Sequence, residues 1–419
     1  MTPAARLQAA IEVLDRIASS RQPADQALKA WGAASRYAGS NDRRAVADRV
    51  YQALRGGGGE GGRRAVLSSL TLDDALAQDE IAALFSGQAH APAALTAEEA
   101  AWLGALSRRA DPPDFIRAEL ERGFAGDWRE EAEALLRSRA PLDIRIKGLG
   151  SNFQVVSQAL AEAEVTFAST PFSALGLRIE GAPDLQSLDV FKAGAFEVQD
   201  EGSQIAALLA DPHPGDTVVD YCAGGGGKTL ALWSLMQGRG RLVACDLNPR
   251  RLDAVRPRLE RASAVAELRR VGPTGDPLTD LQAAVDRVLV DAPCSGSGTW
   301  RRRPEEAWRL TPKALQDLAV TQAEVLAKAS ALVKPGGRLV YVTCSVLPSE
   351  NADIVAAFAD AHPGLEPLPI DRAAANLPGL TDAGRARLAE LSAGGHTVQL
   401  SPRRTGTDGF FIALFERTS

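Results

Sequence analysis

Between residues 217 and 345 four short apolar runs, TVVDYCA, RLVACDL, RVLVDAP and GRLVYVTCS, recur with helix-like stretches between them. Each is rich in β-branched residues, is too short for a helix and lacks a polar face. Such runs read as strands buried on both sides, and strands alternating with helices build a parallel sheet covered on both faces. The fold class follows: α/β, with a mostly parallel sheet. The end of the chain, HTVQLSP to GFFIALFER, reads as an antiparallel hairpin added at the sheet edge. In such sheets ligands bind beyond the carboxyl ends of the strands, so chemistry is sought in the loops that follow these runs.

The first of those loops is DYCAGGGGKTLAL, residues 220–232. Four glycines followed by Lys228 and Thr229 look like the end of the phosphate-binding pattern G-x-x-x-x-G-K-[ST]. Counted back from Gly227, that pattern needs its first glycine at position 222, which is Cys222. A triphosphate loop is therefore disfavoured. Glycines there still let the backbone come close to a ligand, where a Cβ would collide. The next strand ends in ACDLNPRRL, and its Asp246 lies 20 residues after Gly226. That is the usual place for an acid that binds the two hydroxyls of a ribose. The arrangement serves dinucleotides and S-adenosylmethionine alike. Candidate cofactor contacts are Cys222, Ala223, Gly224, Gly225, Gly226, Gly227, Lys228 and Asp246. Lys228 would meet the cofactor carboxylate or a nearby carboxylate side chain, with helix capping as its alternative.

Two further strand ends carry DAPCSGSG (291–298) and TCSVLPSEN (343–351). Asp291 and Cys294 follow one strand and Cys344 the next, so a carboxylate and two thiols meet at the cofactor edge of the sheet. The other cysteines, Cys222 and Cys245, read as small structural residues beside the cofactor. No pair of the four cysteines has C-x-x-C spacing and the four histidines are scattered, so no metal site is expected. Nothing after the glycine loop looks like a hydride-transfer site, and no second nucleotide half is evident, which favours S-adenosylmethionine.

The 419 residues suffice for two or three domains. Residues 1–140 have apolar positions at helical spacing, as in LQAAIEVLDRI and RRAVADRVYQAL, with a glycine run at 56–62 and a Thr96 N-cap before an acidic first turn. Residues 1–64 hold eleven Lys/Arg against six Asp/Glu, a net +5, which suits RNA or a solvated helical surface. The whole chain, at −6, has no general basic coat. Residues 141–195 alternate like strands around one helical stretch and read as a small α/β module. No apolar run approaches the ~20 residues of a membrane span, and the charged N-terminal segment is unlike a signal peptide, so a cytoplasmic protein with no membrane partner is expected. No exposed heptad is evident, and a monomer is expected.

The sequence resembles the RNA cytosine-5 methyltransferases of the Nol/Nop/Sun family, and within it the bacterial 16S ribosomal-RNA type called RsmB or Sun. The resemblance covers 141–419 and more weakly 1–140, and rests on FEVQDEGSQIAALL (196–209), DYCAGGGGKT, CDLNPRRL, DRVLVDAPCSGSGTWRRRPE (286–305), KPGGRLVYVTCSVLPSEN and DGFFIALFER (408–417). It implies a Rossmann-like S-adenosylmethionine-dependent methyltransferase domain at 196–419, an RRM-like module at 141–195 and a NusB-like, RNA-binding helical domain at 1–140. It implies Cys344 as the nucleophile on cytosine carbon-6, Cys294 as the group that helps resolve the adduct, and Asp291 at the polar edge of the base and in the cofactor pocket. Cys344 would need local activation, since a thiol is mostly neutral at its ordinary pKa. Ribosomal RNA is the expected substrate, with transfer RNA the nearest alternative and a non-catalytic RNA-binding assembly factor a different class. The thiols speak against that class. The family loop reads Cys-Ala-Ala-Pro-Gly-Gly-Lys; here Gly224 and Gly225 replace Ala-Pro. The family's adenine-binding Gly-Asp has Asp276 as a candidate in RRVGPTGDPLTD (269–280). Basic and aromatic residues of WRRRPEEAW (300–308), with Arg403 and Arg404, are candidates for RNA contact or for solvated helix starts.

Overall fold

The structure, a computed structural model, describes residues 1–57, 61–107, 111–148, 150–272 and 278–418. Asp276 and the middle of the 56–62 glycine run lie outside the described residues. The chain divides into two compact units, 1–138 with 299–310, and 139–298 with 311–419.

The first unit is helical. Its principal helices are Pro3–Ser20, Ala24–Ala34, Ser40–Arg55, Gly62–Leu72, Gln78–Leu84, Ala97–Ala105, Asp114–Phe124 and Trp128–Arg137. The apolar stripes seen in the sequence meet in one core, where Leu7, Ile11 and Leu14 pack with Val46, Val50, Leu67 and Leu70. Thr96 caps its helix as expected: its hydroxyl accepts from the Glu99 amide while the Glu99 side chain returns to the Thr96 amide. Residues 299–310, which the sequence boundaries assign to the catalytic part, group with this unit. Their side chains satisfy its helix ends: the Glu305 carboxylate accepts from the Ala24 amide at 2.9 Å, and the Trp308 indole donates to the Leu54 carbonyl at 3.0 Å.

In the second unit β1 (Leu142–Ile146), β2 (Phe167–Ser169), β3 (Gly176–Ile179) and β4 (Phe196–Val198) form an antiparallel sheet in the order β2-β3-β1-β4. Helix Ser151–Glu162 covers it, burying Val156 and Leu160 against Ile144, Leu177 and Phe196. β4 lies beyond the expected boundary at 195: the pairing of Phe196 with Ile146 draws the following residues into this sheet.

The larger sheet holds β5 (Thr217–Tyr221), β6 (Arg241–Asp246), β7 (Glu267–Arg270), β8 (Val285–Asp291), β9 (Val333–Thr343), β10 (Leu365–Pro367), β11 (Thr397–Leu400) and β12 (Phe410–Arg417). The order is β10-β12-β9-β8-β5-β6-β7, with β11 also paired to β12. β5 through β9 run parallel, and β12 is antiparallel to β9. Alternate residues face opposite sides. Val218, Leu289 and Val340 pack with helices Glu201–Ala210 and Gly227–Leu235, whereas Val219, Val288 and Tyr341 pack with helices Pro312–Ser330 and Ala352–Ala361. The β11–β12 pair is antiparallel, but β12 is an inner strand, because β10 and β11 share its outer side. This order makes the carboxyl ends of β5, β6, β8 and β9 share one edge of the sheet. No helix among the described residues is long and apolar enough to cross a membrane.

Candidate functional site

Each strand on that edge delivers one piece of the site. After β5 the chain turns through Cys222, whose φ of +68° is left-handed, and through Gly224 at +56° before helix Gly227–Leu235 begins. A Cβ on Gly224 would meet nothing nearer than the Cys222 carbonyl oxygen at 3.9 Å, so the loop borders an open cradle. At the end of β6 the Asp246 carboxylate accepts from the Gly224 amide at 2.9 Å and from the Asn248 amide at 2.7 Å. Its remaining lone pairs are available to hydroxyl donors. Beneath the loop, Asp220 accepts from the Thr229 hydroxyl at 2.6 Å, while its other oxygen is buried without a partner. Burial pushes the Asp220 carboxyl up to about 7. An open glycine edge, an acid with capacity for two hydroxyls and an orphaned buried acceptor fit an adenosyl cofactor with an amino-acid tail.

Lys228 points across to β8, where its ammonium lies 2.8 Å from an Asp291 carboxylate oxygen and 5.3 Å from the centre of the Phe410 ring. Burial opposes the Lys228 charge, but Asp291 outweighs it and holds the ammonium above its ordinary pKa. Helix capping is thus not what Lys228 does with its side chain. Burial, with Asp291, Asp246 and Asp220 nearby, pushes the Cys222 thiol up, so it is neutral; Cys245 is fully buried in β6.

The two remaining thiols touch. Cys294, three residues beyond β8, and Cys344, one beyond β9, have their sulfurs 3.3 Å apart. The hydrogen bond with Cys344, together with burial and the charge of Glu350, pushes the Cys294 thiol well up. The loops that carry them are bound together: the Gly298 amide donates to the Cys344 carbonyl at 3.0 Å, and the Ser297 and Ser345 hydroxyls meet at 2.9 Å. Such a set can add a sulfur to an electron-poor ring carbon and hold the polar edge of that ring by a charged pair.

Two residues in the site received no role from the sequence. Glu350 is fully buried and its carboxylate accepts from the Ser295 amide (2.8 Å), the Ser295 hydroxyl (2.5 Å), the Ser345 hydroxyl (2.6 Å) and Gln322 (3.0 Å). Asn351 accepts from the Thr343 hydroxyl at 2.5 Å and donates to the Ser345 carbonyl at 3.0 Å. The available signal was the repeated Cys-Ser pair followed by Glu-Asn.

The sequence profile of the family described as 16S rRNA methyltransferase RsmB/F matches residues 207–416. The chain is 31% identical over 297 residues to ribosomal RNA small subunit methyltransferase B of Pseudomonas putida, covering 70% of this chain and 64% of that protein. The match thus spans under two thirds of that relative's length. Among solved structures, that of PH0851 superposes with a TM-score of 0.74 at 24% identity, covering 100% of this chain and 99% of the other. A methyltransferase homologue from Pyrococcus horikoshii gives a TM-score of 0.59 at 25% identity, covering 73% and 95%. The fold is that of Rossmann-like methyltransferases.

Proposed function

From the premise that the chain belongs to the 16S rRNA methyltransferase RsmB/F family, we propose that it methylates carbon-5 of a cytosine in RNA, with small-subunit ribosomal RNA as substrate and S-adenosylmethionine as methyl donor. The observation that carries this reading is the 3.3 Å contact between the Cys294 and Cys344 sulfurs beside the Lys228–Asp291 pair. A site that merely binds RNA has no use for two touching thiols at the ends of adjacent strands.

The glycine loop at 222–227, Asp246 and Asp291 hold the cofactor, with Asp246 on the ribose hydroxyls. S-adenosylmethionine, when bound, supplies an electrophilic methyl group for carbon-5. Carbon-5 of cytosine is by itself a poor nucleophile, and this chain's residues correct that. The Cys344 sulfur adds to carbon-6, and the electron pair of the ring double bond moves toward carbon-5 and the polar edge of the base. Asp291, held by Lys228, lies at that edge, where a proton shared between its carboxylate and ring nitrogen 3 bridges the two as that nitrogen gains electron density. Cys294, its thiol pushed up by the hydrogen bond with Cys344 and by burial, rests neutral. Resolution passes the carbon-5 proton to water, the carbon–hydrogen pair rebuilds the ring double bond, and the sulfur–carbon-6 bond breaks with its electrons returning to the Cys344 sulfur, with Cys294 in contact to assist. The target base must leave any helix to reach the thiols, so an unpaired or flipped cytosine is the substrate. The helical unit at 1–138 supplies RNA contact in this scheme.

The test uses labelled methyl donor and total RNA from cells lacking the protein. Label is expected in small-subunit RNA as 5-methylcytosine, with Cys344→Ala inactive and Cys294→Ala accumulating a denaturant-stable protein–RNA adduct. Normal methylation by Cys344→Ala would overturn the nucleophile assignment, and label confined to transfer RNA would overturn the substrate.

A further inference from the structure

The two thiol loops share one anchor. Cys294 and Cys344 are each followed by a serine, and both serine hydroxyls, of Ser295 and Ser345, donate to the same oxygen of Glu350 at 2.5 and 2.6 Å. The other oxygen takes the Ser295 amide at 2.8 Å and the Gln322 amide group at 3.0 Å. The backbone carbonyl of Glu350 accepts from the Tyr341 hydroxyl at 2.7 Å, which ties the anchor to β9 below Cys344. No solvent reaches Glu350. A buried carboxylate is costly to keep unless it is fully hydrogen-bonded, and this one spends its acceptors on the residues adjoining the two thiols.

We propose that Glu350 is a positioning residue for the two thiols, fixing the Cys294–Cys344 contact through the paired serines. Without it the loops after β8 and β9 keep the contacts through Gly298 and Ser297 but lose the carboxylate that grips both from beneath. Relative placement of a nucleophile and its resolving group is worth much in rate: a shift of about 1 Å can cost about a hundredfold. The side chain itself touches no substrate. Its importance for turnover rests on the thiol chemistry proposed above, whereas its grip on the thiols is a property of the protein alone.

The experiment therefore has two arms. In the first, with no RNA present, diamide takes two electrons and two protons from the thiols and leaves the Cys294–Cys344 disulfide, which peptide mass spectrometry counts over time. In the second, kcat and KM for RNA are measured. For Glu350→Ala, linking is expected to slow at least tenfold and kcat to fall about a hundredfold with KM for RNA little changed. Glu350→Gln, which keeps the shape and one acceptor, is expected to recover part of both. Ser295→Ala and Ser345→Ala each remove one tie and are expected to fold; if Glu350→Ala does not, they decide, slowed linking and turnover supporting the proposal. Linking and kcat unchanged in folded Glu350→Ala, or in both serine variants, would overturn it. If the unaltered protein methylates no RNA, the functional reading fails while the linking arm still decides on Glu350.

Discussion

The Lys228 ammonium and the Asp291 carboxylate stand 2.8 Å apart, bridging the first turn of the helix after the glycine loop to the end of β8. The glycine loop sets the start of that helix, and the strand order brings β8 beside β5. One ion pair therefore links the residues that would hold the cofactor to the acid that would meet the base. Lys228 is nearly fully buried and Asp291 is about a quarter exposed, so water compensates the acid more readily than the base.

Replacing Lys228 with Met keeps the aliphatic stem but leaves Asp291 unpaired. The stability cost is expected to be about 2 kcal/mol, in the range for a lost charged hydrogen bond. Methyl transfer is expected to suffer more than folding does. Thermal unfolding with and without S-adenosylmethionine, together with label transfer, separates the two effects; wild-type turnover in the variant would sink the assigned role.

Asp220 makes stability depend on pH. Its carboxyl is pushed up to about 7 from an ordinary 3.8 by burial, so the folded chain holds a proton that the unfolded chain releases. Stability from this group is therefore intact below about pH 4, falls as pH rises toward 7 and is level above that. Asp220→Asn keeps an acceptor for Thr229 and removes this penalty. Its advantage over the unaltered protein is expected to grow from pH 5 to pH 7 and then stop growing, reaching up to about 4 kcal/mol if the full shift is recovered. Denaturant titrations across pH 5–9 measure it; a constant difference across that range would place the titration elsewhere.

The parts of the fold that the sequence made legible are those where one force dominates. β5, β6, β8 and β9 are covered on both faces and read as unbroken apolar runs. β7, sequence ELRR, is an edge strand whose Glu267 and Arg269 join Arg241 and Asp280 in a surface ion network, so no hydrophobic signal marks it. Cys294 and Cys344 were placed at adjacent strand ends by motif, but their contact depends on the parallel pairing of β8 with β9, which lies beyond local pattern. Glu350 escaped notice for a different reason. A buried glutamate is legible only through the four donors that satisfy it, and three of those come from 28 to 55 residues away. Residues 299–310 show the same limit, since their partners in the first unit lie nearly 300 residues back.

Glu197, on β4, is gripped by Arg258 at 2.8 Å and by Arg261, and Arg258 also donates to the Gly225 carbonyl. The small sheet thus steadies the glycine loop through one arginine. In Glu197→Ala both guanidiniums lose their carboxylate partner, and Arg258 is freed to leave Gly225. A loop that already carries glycines in place of Ala-Pro would then order at greater entropic cost on binding. The Kd for S-adenosylmethionine is expected to rise about tenfold, equivalent to about 1.4 kcal/mol. Calorimetric titration measures it, and an unchanged Kd would show that the loop holds its shape without this support.

Helix Ala24–Ala34 begins after Pro23, which offers no side-chain cap. The missing acceptor comes from Glu305, whose carboxylate takes the Ala24 amide at 2.9 Å, and Arg309 donates to the carbonyls of Ile17, in the last turn of the preceding helix, and Gln22, just beyond it, at 2.8 and 2.9 Å. A carboxylate at a helix start and a guanidinium at a helix end both complement the helix dipole. Glu305→Ala and Arg309→Ala are each expected to cost about 1 kcal/mol, the usual worth of a cap. The loss should be local. Amide exchange is expected to speed up across residues 3–34 in both variants, while β5 and β6 keep their protection. Uniform acceleration over the whole chain would mean that 299–310 stabilises far more than the ends of two helices.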